Sequence, residues 1–419
     1  MNRVKLGSIT DSCLGKMLDA EKNKGDYQPY LANINVRWGD FDLENLPMMR
    51  FESTENDRYG ILKGDLIVCE GGEPGRCAIW DETIPNMKIQ KALHRVRAHS
   101  GIDIRYIYYW MLLAGQKNLL SKYFTGSTIK HLPGDKLKEI VIDIPDYQSQ
   151  QRISDVLSLI DTLIKNNNQI NDNLQHQLKL LYDYWFTQLD FPNENGKPYR
   201  ASGGAMVWNE QLKREIPQYW SIGTVSDCVE KISTGLNPRD NFVLGNGSIR
   251  YITVKNLTTT GSLDFSGCDM IDEEARTIVH RRSDISVGDI LFASIAPLGR
   301  CYLIQQEPTD WDINESVFSI RSKTDKITPE YLYLFFQSDS FIQKATNTST
   351  GSIFKGIRIN TLLDTKMIIP ELQVCRSFTS VIKPLLAEIN NNSAETARLT
   401  ALRDWLLPML MNGQATISD

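Results

Sequence analysis

Four short strings in this chain occur twice at a nearly constant separation. Gly64-Asp65-Leu66-Ile67 returns as Gly288-Asp289-Ile290-Leu291, and Gly75-Arg76-Cys77 returns as Gly299-Arg300-Cys301 at the same offset. Thr125-Gly126-Ser127 returns as Thr350-Gly351-Ser352, and Ile144-Pro145 as Ile369-Pro370, both at an offset one position longer. Solenoid repeats have periods of roughly 20–50 residues, so this much longer spacing marks a duplicated domain of about 200 residues instead. Duplication predicts two similar surfaces related by a pseudo-twofold. Such surfaces suit a partner that is itself two-sided, and duplex DNA is the commonest one.

The chain has 419 residues, enough for two cores and their connections. Its five histidines are scattered, and its seven cysteines form no CxxC pair. Buried small residues in a reducing compartment account for that pattern better than disulfides or zinc. No apolar run approaches the roughly 18 residues of a membrane helix, and Met1-Asn2-Arg3-Val4-Lys5 has no apolar signal core. A cytoplasmic protein without membrane contact is expected. The net charge of −5 opposes unaided DNA binding, because a DNA-binding protein is usually basic on at least one face. Either the basic residues are clustered, or another subunit supplies much of the phosphate contact.

The predicted fold class is α+β: two similar mixed heads and two long helices that form an antiparallel coiled coil. Residues 1–146 make the first head, 147–189 the first helix and 190–215 a Pro-, Gly- and Asn-rich connector. Residues 216–371 make the second head, 372–413 the second helix and 414–419 a frayed tail. In the first helical segment Ile153, Ile160, Leu174 and Leu181 share one heptad position, and Val156, Leu163 and Ile170 the other. Phe378, Leu385, Leu399 and Leu406 occupy the matching places of the second, at the offset that relates the two Ile-Pro pairs. The central member of each stripe is an asparagine, Asn167 in one and Asn392 in the other. An asparagine in an apolar seam costs stability but fixes register, so the two are expected to lie near each other at the middle of an antiparallel pair. The competing readings are two helices packed separately on their own heads, with both asparagine clusters facing solvent.

No catalytic or metal-binding signature is present. Gly196-Lys197 is followed by Pro198, so there is no phosphate loop, and no HExxH, GxSxG, Asn-Pro-Pro-Tyr or methyl-donor glycine loop occurs. A duplicated chain of this kind reads as a recognition or assembly protein. The order head–helix–head–helix, with Ile-Pro before each helix, resembles the specificity subunit of type I restriction-modification systems. The resemblance is carried by Thr125-Gly126-Ser127-Thr128-Ile129-Lys130 and Thr350-Gly351-Ser352-Ile353-Phe354-Lys355. The connector Phe191-Pro192-Asn193-Glu194-Asn195-Gly196-Lys197-Pro198-Tyr199 and the leader Arg214-Glu215-Ile216-Pro217-Gln218-Tyr219-Trp220 add to it. It covers nearly the whole chain.

The resemblance implies that each head is a target recognition domain reading one half of a split double-stranded DNA site. The helices would set the gap and dock two methyltransferase subunits, and motor-nuclease subunits would complete the assembly. The chain itself would do no chemistry; S-adenosylmethionine, ATP and Mg would belong to its partners, and the system would serve DNA methylation and phage defence. Two rivals remain at this level. One is a recognition subunit of another DNA-modification or defence complex; the other is a two-headed scaffold that binds no DNA.

Base readout uses Arg or Lys for guanine and Asn or Gln for adenine. In the first head Asn35, Arg37 and Trp38 form the leading candidate group, and Arg250, Lys255 and Asn256 the aligned group in the second, with an alternating half-buried strand as the bland alternative. Lys88 and Lys91, with Gln90, form a second group. Residues common to both heads cannot carry different specificities. Ser127, Lys130, Ser352 and Lys355 are therefore assigned to phosphate contact or to loop packing, and Arg76 and Arg300 to structure. Glu70 and Glu73 lie in a turn that could face cytosine but reads more simply as solvated. The first head starts abruptly at Val4-Lys5-Leu6-Gly7, so it is expected either to lack a lead-in strand or to lean on the C-terminal tail.

Overall fold

The computed structural model describes residues 2–19, 21–348 and 356–417. It divides into two compact units, Met1–Lys165 with Ala397–Asp419, and Asn166–Thr396.

In the first unit β1 (Asn2–Lys5) begins the head. It is followed by β2 (Thr10–Leu14), β3 (Asp26–Leu31), β4 (Met48–Phe51), β5 (Leu66–Cys69), β6 (Cys77–Ile79), β7 (Lys88–Ile89), β8 (Leu93–Ala98) and β9 (Val141–Ile144). Strands β2, β8, β5 and β6 form a four-stranded antiparallel sheet in that order. β5 is buried along its whole length, as a near-continuous apolar run covered on both faces must be. The helix Ile104–Gln116 is capped by the Asp103 carboxylate, which accepts from the Arg105 amide at 2.9 Å. It buries Tyr106, Ile107, Met111 and Ala114 in the same core. A smaller sheet has the order β4-β3-β7, antiparallel on one side and parallel on the other. β1 pairs with β9 from Asn2 opposite Ile144 to Lys5 opposite Val141. The first head thus has its lead-in strand.

The second unit repeats this plan after a hairpin of β10 (Met206–Asn209) and β11 (Arg214–Pro217). The region expected to be a plain connector therefore contains ordered structure. Within it Phe191 stacks on Tyr199 at 4.6 Å and on Trp220 at 4.9 Å. Next come β12 (Ser221–Thr224), β13 (Val229–Thr234), β14 (Ile249–Ile252), β15 (Asp269–Ile271), β16 (Ile290–Ala293), β17 (Cys301–Leu303), β18 (Trp311–Ile313), β19 (Val317–Ser322) and β20 (Lys366–Ile369). The sheets are β12-β20, β13-β19-β16-β17 and β15-β14-β18, each matching one of the first head. The helix Pro329–Gln337, capped by the Thr328 hydroxyl, corresponds to Ile104–Gln116.

The repeated strings have physical causes. Gly64 and Gly288 both sit at φ +90°, a left-handed backbone that favours glycine. The aspartate after each is buried and clamped by an arginine. Arg97 donates to Asp65 from Nε at 2.7 Å and from a terminal nitrogen at 2.8 Å; Arg321 holds Asp289 at the same two distances. Asp65 and Asp289 are 2% and 1% exposed, so each bidentate fork satisfies a carboxylate that would otherwise be stranded.

The two long helices run Tyr147–Tyr182 and Leu372–Met411, and a π-helical turn, Asp183–Thr187, follows the first. In the first unit Ile153 and Leu157 join the head's core together with Leu407, Leu410 and Met411. Arg403 donates to Asp161 at 3.0 Å, and Tyr109 donates to the other oxygen of that carboxylate at 2.8 Å. The tail as far as Ile417 is packed there rather than frayed. Ala415 and Ile417 lie against the same core, and Arg152 donates to the Ile417 carbonyl at 3.5 Å. In the second unit Leu178, Tyr182, Phe378, Ile382, Leu386 and Ile389 are buried together. Pairing is antiparallel in each unit, by Arg152–Ile417 and Asp161–Arg403 in the first and Asn167–Glu395 and Asn171–Asn392 in the second.

The seam differs from the expected one by a single step. Ile153, Ile160 and Phe378 are buried as expected, whereas Leu174, Leu181, Leu385, Leu399 and Leu406 are half-buried at its flank. The second heptad position is filled by Leu157, Asn171 and Leu178, not by Val156, Leu163 and Ile170. Leu163 and Ile170 are 41% and 45% exposed. Asn167 and Asn392 are both buried, each with a partner one turn from the other. Asn167 donates to Glu395 at 2.9 Å, and Asn392 donates to the side-chain Oδ1 of Asn171 at 3.0 Å. Asn171 in turn donates to the Ile389 carbonyl at 3.3 Å and to Ser393 at 3.2 Å. Hydrogen-bonded polar side chains thus occupy this stretch of the seam.

Candidate nucleic-acid interface

Several predicted contact residues are committed to the fold. Asn35 is 4% exposed, and its side chain accepts from the Ala32 amide at 2.9 Å and donates to the Asp42 carbonyl at 3.0 Å. Asn256 is 2% exposed and repeats the arrangement, accepting from Thr253 at 2.9 Å and donating to the Asp264 carbonyl at 2.9 Å. Each amide closes its own loop, which corrects the expectation that this pair reads adenine. Trp38 is also structural: its indole donates to Glu73 at 2.7 Å, and its ring lies where a side chain at Gly115 would stand. Lys88 is 2% exposed and donates to the Asn86 carbonyl at 2.8 Å. Burial lowers its pKa, and it does not reach the surface.

Other candidates remain outward. Arg37 is exposed and pairs with Asp42 at 3.2 Å; Lys91 and Lys255 are exposed. Ser127 and Lys130 stand on an exposed loop closed by the reciprocal Thr125–His131 backbone bonds at 2.8 and 2.9 Å. Lys130 bends back to the Gly126 carbonyl at 2.8 Å. The loop continues into Leu132, whose amide donates to the Glu70 carbonyl at 2.7 Å, so it adjoins the 70–76 turn. There Arg76 donates to the Asn33 carbonyl at 3.0 Å and to Glu73 at 3.2 Å. Arg76 and Glu73 thereby brace the turn, as expected for Arg76. Arg300 is half-buried, with its Nε buried and without a hydrogen-bond partner among the described residues. Ser352 and Lys355 lie outside the described residues. Arg250 pairs with Asp310 and sits 4.9 Å over the Phe265 ring.

The heads diverge in the interior of their small sheets. In the parallel ladders Tyr30 faces Lys88 in the first head and Tyr251 faces Asp312 in the second. One register position thus holds a buried cation in one head and a buried anion in the other. Asp312 is fully buried and accepts from Ser283 at 2.6 Å and from the Ile313 amide at 2.8 Å. His280 Nδ1 lies 3.0 Å from the same carboxylate, and burial raises the Asp312 pKa. His280 and Ser283 come from the helix Glu273–Ser283, which has 11 residues; the corresponding segment Asn56–Tyr59 has four.

Sequence reading missed Arg50 and Tyr27, which face each other across β3 and β4 on the exposed side of the small sheet. The available signal was alternation in β4, where Met48 and Arg50 point out and Met49 and Phe51 point in. No group of three metal-ligating side chains occurs among the described residues. The repeated cysteines Cys77 and Cys301 are buried in the sheets, where desolvation pushes both thiols up.

Fold and surface together describe a duplicated chain, with one framework used twice and unlike buried charges in the small sheets of its two heads. The family model for the type I restriction modification DNA specificity domain matches residues 1–176 and 217–400. The chain belongs to that family, and it is a non-catalytic DNA-specificity subunit of a type I restriction-modification system. It is 25% identical over 359 residues to the type I restriction enzyme MjaIX specificity subunit of Methanocaldococcus jannaschii, covering 85% of this chain and 79% of that one. The HindI specificity subunit of Haemophilus influenzae is 20% identical over 417 residues, covering 85% and 88%. A crystal structure of the type I S subunit from M. genitalium aligns over 98% of this chain and 95% of its own, with a TM-score of 0.56 and 17% identity, a likeness of fold.

Proposed function

We propose that each head reads one half of a bipartite duplex-DNA site, and that the paired helices fix the unread gap and dock two methyltransferase subunits. Motor-nuclease subunits join the complete complex, and S-adenosylmethionine, ATP and Mg act in those partners. The subunit works in the cytoplasm, where its DNA target is. The observation that carries this reading is the contrast within each head. The Asp65–Arg97 and Asp289–Arg321 clamps repeat with the same two bond lengths, while the small sheets rest on Lys88 in one head and Asp312 in the other. A constant framework with unlike readers suits two unlike half-sites.

Docking is supported by apolar side chains left on the outer faces of the helices. Leu159 is 61% exposed, Leu180 54%, Leu402 44% and Trp405 58%, and Leu163 and Ile170 are exposed as well. Leu180 and Trp405 are equivalent at the offset of the repeat. Leu159 and Leu163, and Leu402 and Trp405, stand one turn apart on their helices, and adjoining exposed apolar groups suit an interaction surface. Arg37, Lys91, Arg250 and Lys255 serve as candidate base or backbone contacts, and Ser127, Lys130, Ser352 and Lys355 as phosphate contacts shared by the two heads.

Sequencing of methylated adenines in cells carrying the chain with its methyltransferase partner tests the reading. Two half-site motifs separated by one fixed gap are expected. A contiguous motif, or modification without sequence preference, would overturn it.

A further inference from the structure

We infer that Arg50 reads a guanine in the half-site of the first head, with its guanidinium held for that task by the Tyr27 ring. The inference rests on the proposal that the head reads one half of a DNA site; it adds the reading surface and the residue.

β3 and β4 form a two-stranded antiparallel ribbon on the solvent side of the small sheet. Tyr27 stands directly opposite Arg50, and Pro29 opposite Met48. Tyr27 is 63% exposed and Met48 51%, so this face carries a large aromatic, a thioether and a cation with nothing covering them. The Arg50 guanidinium carbon lies 5.0 Å from the Tyr27 ring centroid. A guanidinium on an aromatic face keeps its charge and the donor fork along its edge. No carboxylate pairs with Arg50 among the described residues, whereas Arg97, Arg105, Arg321 and Arg403 are all engaged by acids.

The strand beneath is fixed. Lys16, 7% exposed, donates to the Arg50 carbonyl at 3.0 Å, pairs with Glu55 and lies 5.1 Å from the Phe51 ring. Gly25 enters β3 at φ +94°, where a side chain would run into the Phe51 carbonyl. A free, ring-stacked arginine on a pinned two-stranded ribbon fits the major groove. The groove admits such a ribbon, and guanine offers O6 and N7 to a bidentate arginine there.

The second head carries an arginine on the same face of its small sheet, but on the other strand, at the position of Pro29. Arg250 stands opposite Met270, as Pro29 stands opposite Met48, and lies over Phe265. Here Asp310 pairs with the arginine, so a donor and an acceptor are presented together and the base preference differs. The two faces are equivalent in position and unlike in chemistry, as readers of two different half-sites must be.

The test is selection of random-sequence duplex DNA by the chain assembled with its methyltransferase partner. Arg50→Ala should leave one half-site and the gap unchanged and make one G·C position of the other half degenerate. The loss of discrimination there should be roughly 5- to 150-fold, the range of a bidentate contact. Tyr27→Leu should weaken preference at that same position by less. Arg250→Ala should alter the opposite half. A bipartite motif that survives Arg50→Ala intact would sink the inference and leave the underlying reading standing. No bipartite motif with the unaltered chain would sink that reading first. Uniform weakening on all sequences would make Arg50 a phosphate contact, and failure of both Arg50→Ala and Arg50→Lys to assemble would make this face a protein interface. Either result overturns base reading.

Discussion

The asparagine network in the helical seam makes a claim about non-additivity. Asn171 and Asn392 are each 7% exposed, and the side-chain Oδ1 of Asn171 accepts from the Asn392 amide at 3.0 Å. Replacing Asn392 by leucine leaves that oxygen buried without its donor. Replacing Asn171 by leucine strands the Asn392 amide in the same way. An unsatisfied buried polar group costs about 1–3 kcal/mol, a rise of roughly 5- to 150-fold in local opening. In the double variant Asn171→Leu/Asn392→Leu neither orphan exists, and two leucines enter the seam beside Asn167 and Gln175. Replacing a buried polar pair by apolar groups can be nearly neutral, so the double variant should open no faster than either single one. The assay is native-state hydrogen exchange followed by mass spectrometry on peptides spanning 165–180 and 385–396, which reports local opening. A double variant whose opening equals the product of the two single effects would refute the idea that the pair is coupled.

Three further outcomes follow from the heads. Lys88→Met should stabilise the protein at pH 7, because burial disfavours the charged amine in the folded state. With the folded pKa lowered from 10.5, the unfolded chain binds more protons as pH rises between the two values, so the unaltered protein gains stability there. The advantage of the variant in denaturation midpoint should therefore shrink towards pH 10.5. Asp65→Ala and Asp289→Ala should each cost about 2 kcal/mol, from the loss of charge-assisted hydrogen bonds; limited proteolysis should show each lesion confined to its own head. Lys130→Ala in the assembled complex should lower the salt slope of DNA binding by about one unit on every sequence, and an unchanged slope in filter-binding measurements would remove it from the phosphate set.

What the sequence disclosed and what it hid divide along physical lines. The duplication was legible because each repeated string does a job that few residues can do, as at Gly64 and Gly288 or in the two aspartate clamps. The helices were legible from their period, but their facing was not. Val156-Leu157 and Leu163-Ile164 offer apolar residues at both the third and the fourth place after Ile153 and Ile160. At the next turn the seam takes Asn171 and leaves Ile170 outside, a choice settled by hydrogen-bond partners on the other helix. Asn35 and Asn256 misled for a related reason. The donor and acceptor that would read adenine are the same groups that close a short loop. Lysine is mostly an exposed residue, so nothing in the sequence separates Lys88 from Lys91, and the parallel ladder to β3 places Lys88 inside. Arg50 and Tyr27 are well separated in sequence and meet only through strand pairing.

Lys88 and Asp312 bear on how such a protein can change its preference. Opposite charges occupy one register position within two sheets of the same strand order. Grafting β7 of one head into the other would bury an ammonium where a histidine and a serine await a carboxylate, or a carboxylate where no such partners exist. Intermediates that swap strands one at a time are therefore expected to carry a buried charge without its partners and to lose stability. Viable descendants inherit a head with its own interior intact, and recombination that joins heads at their shared framework avoids that barrier.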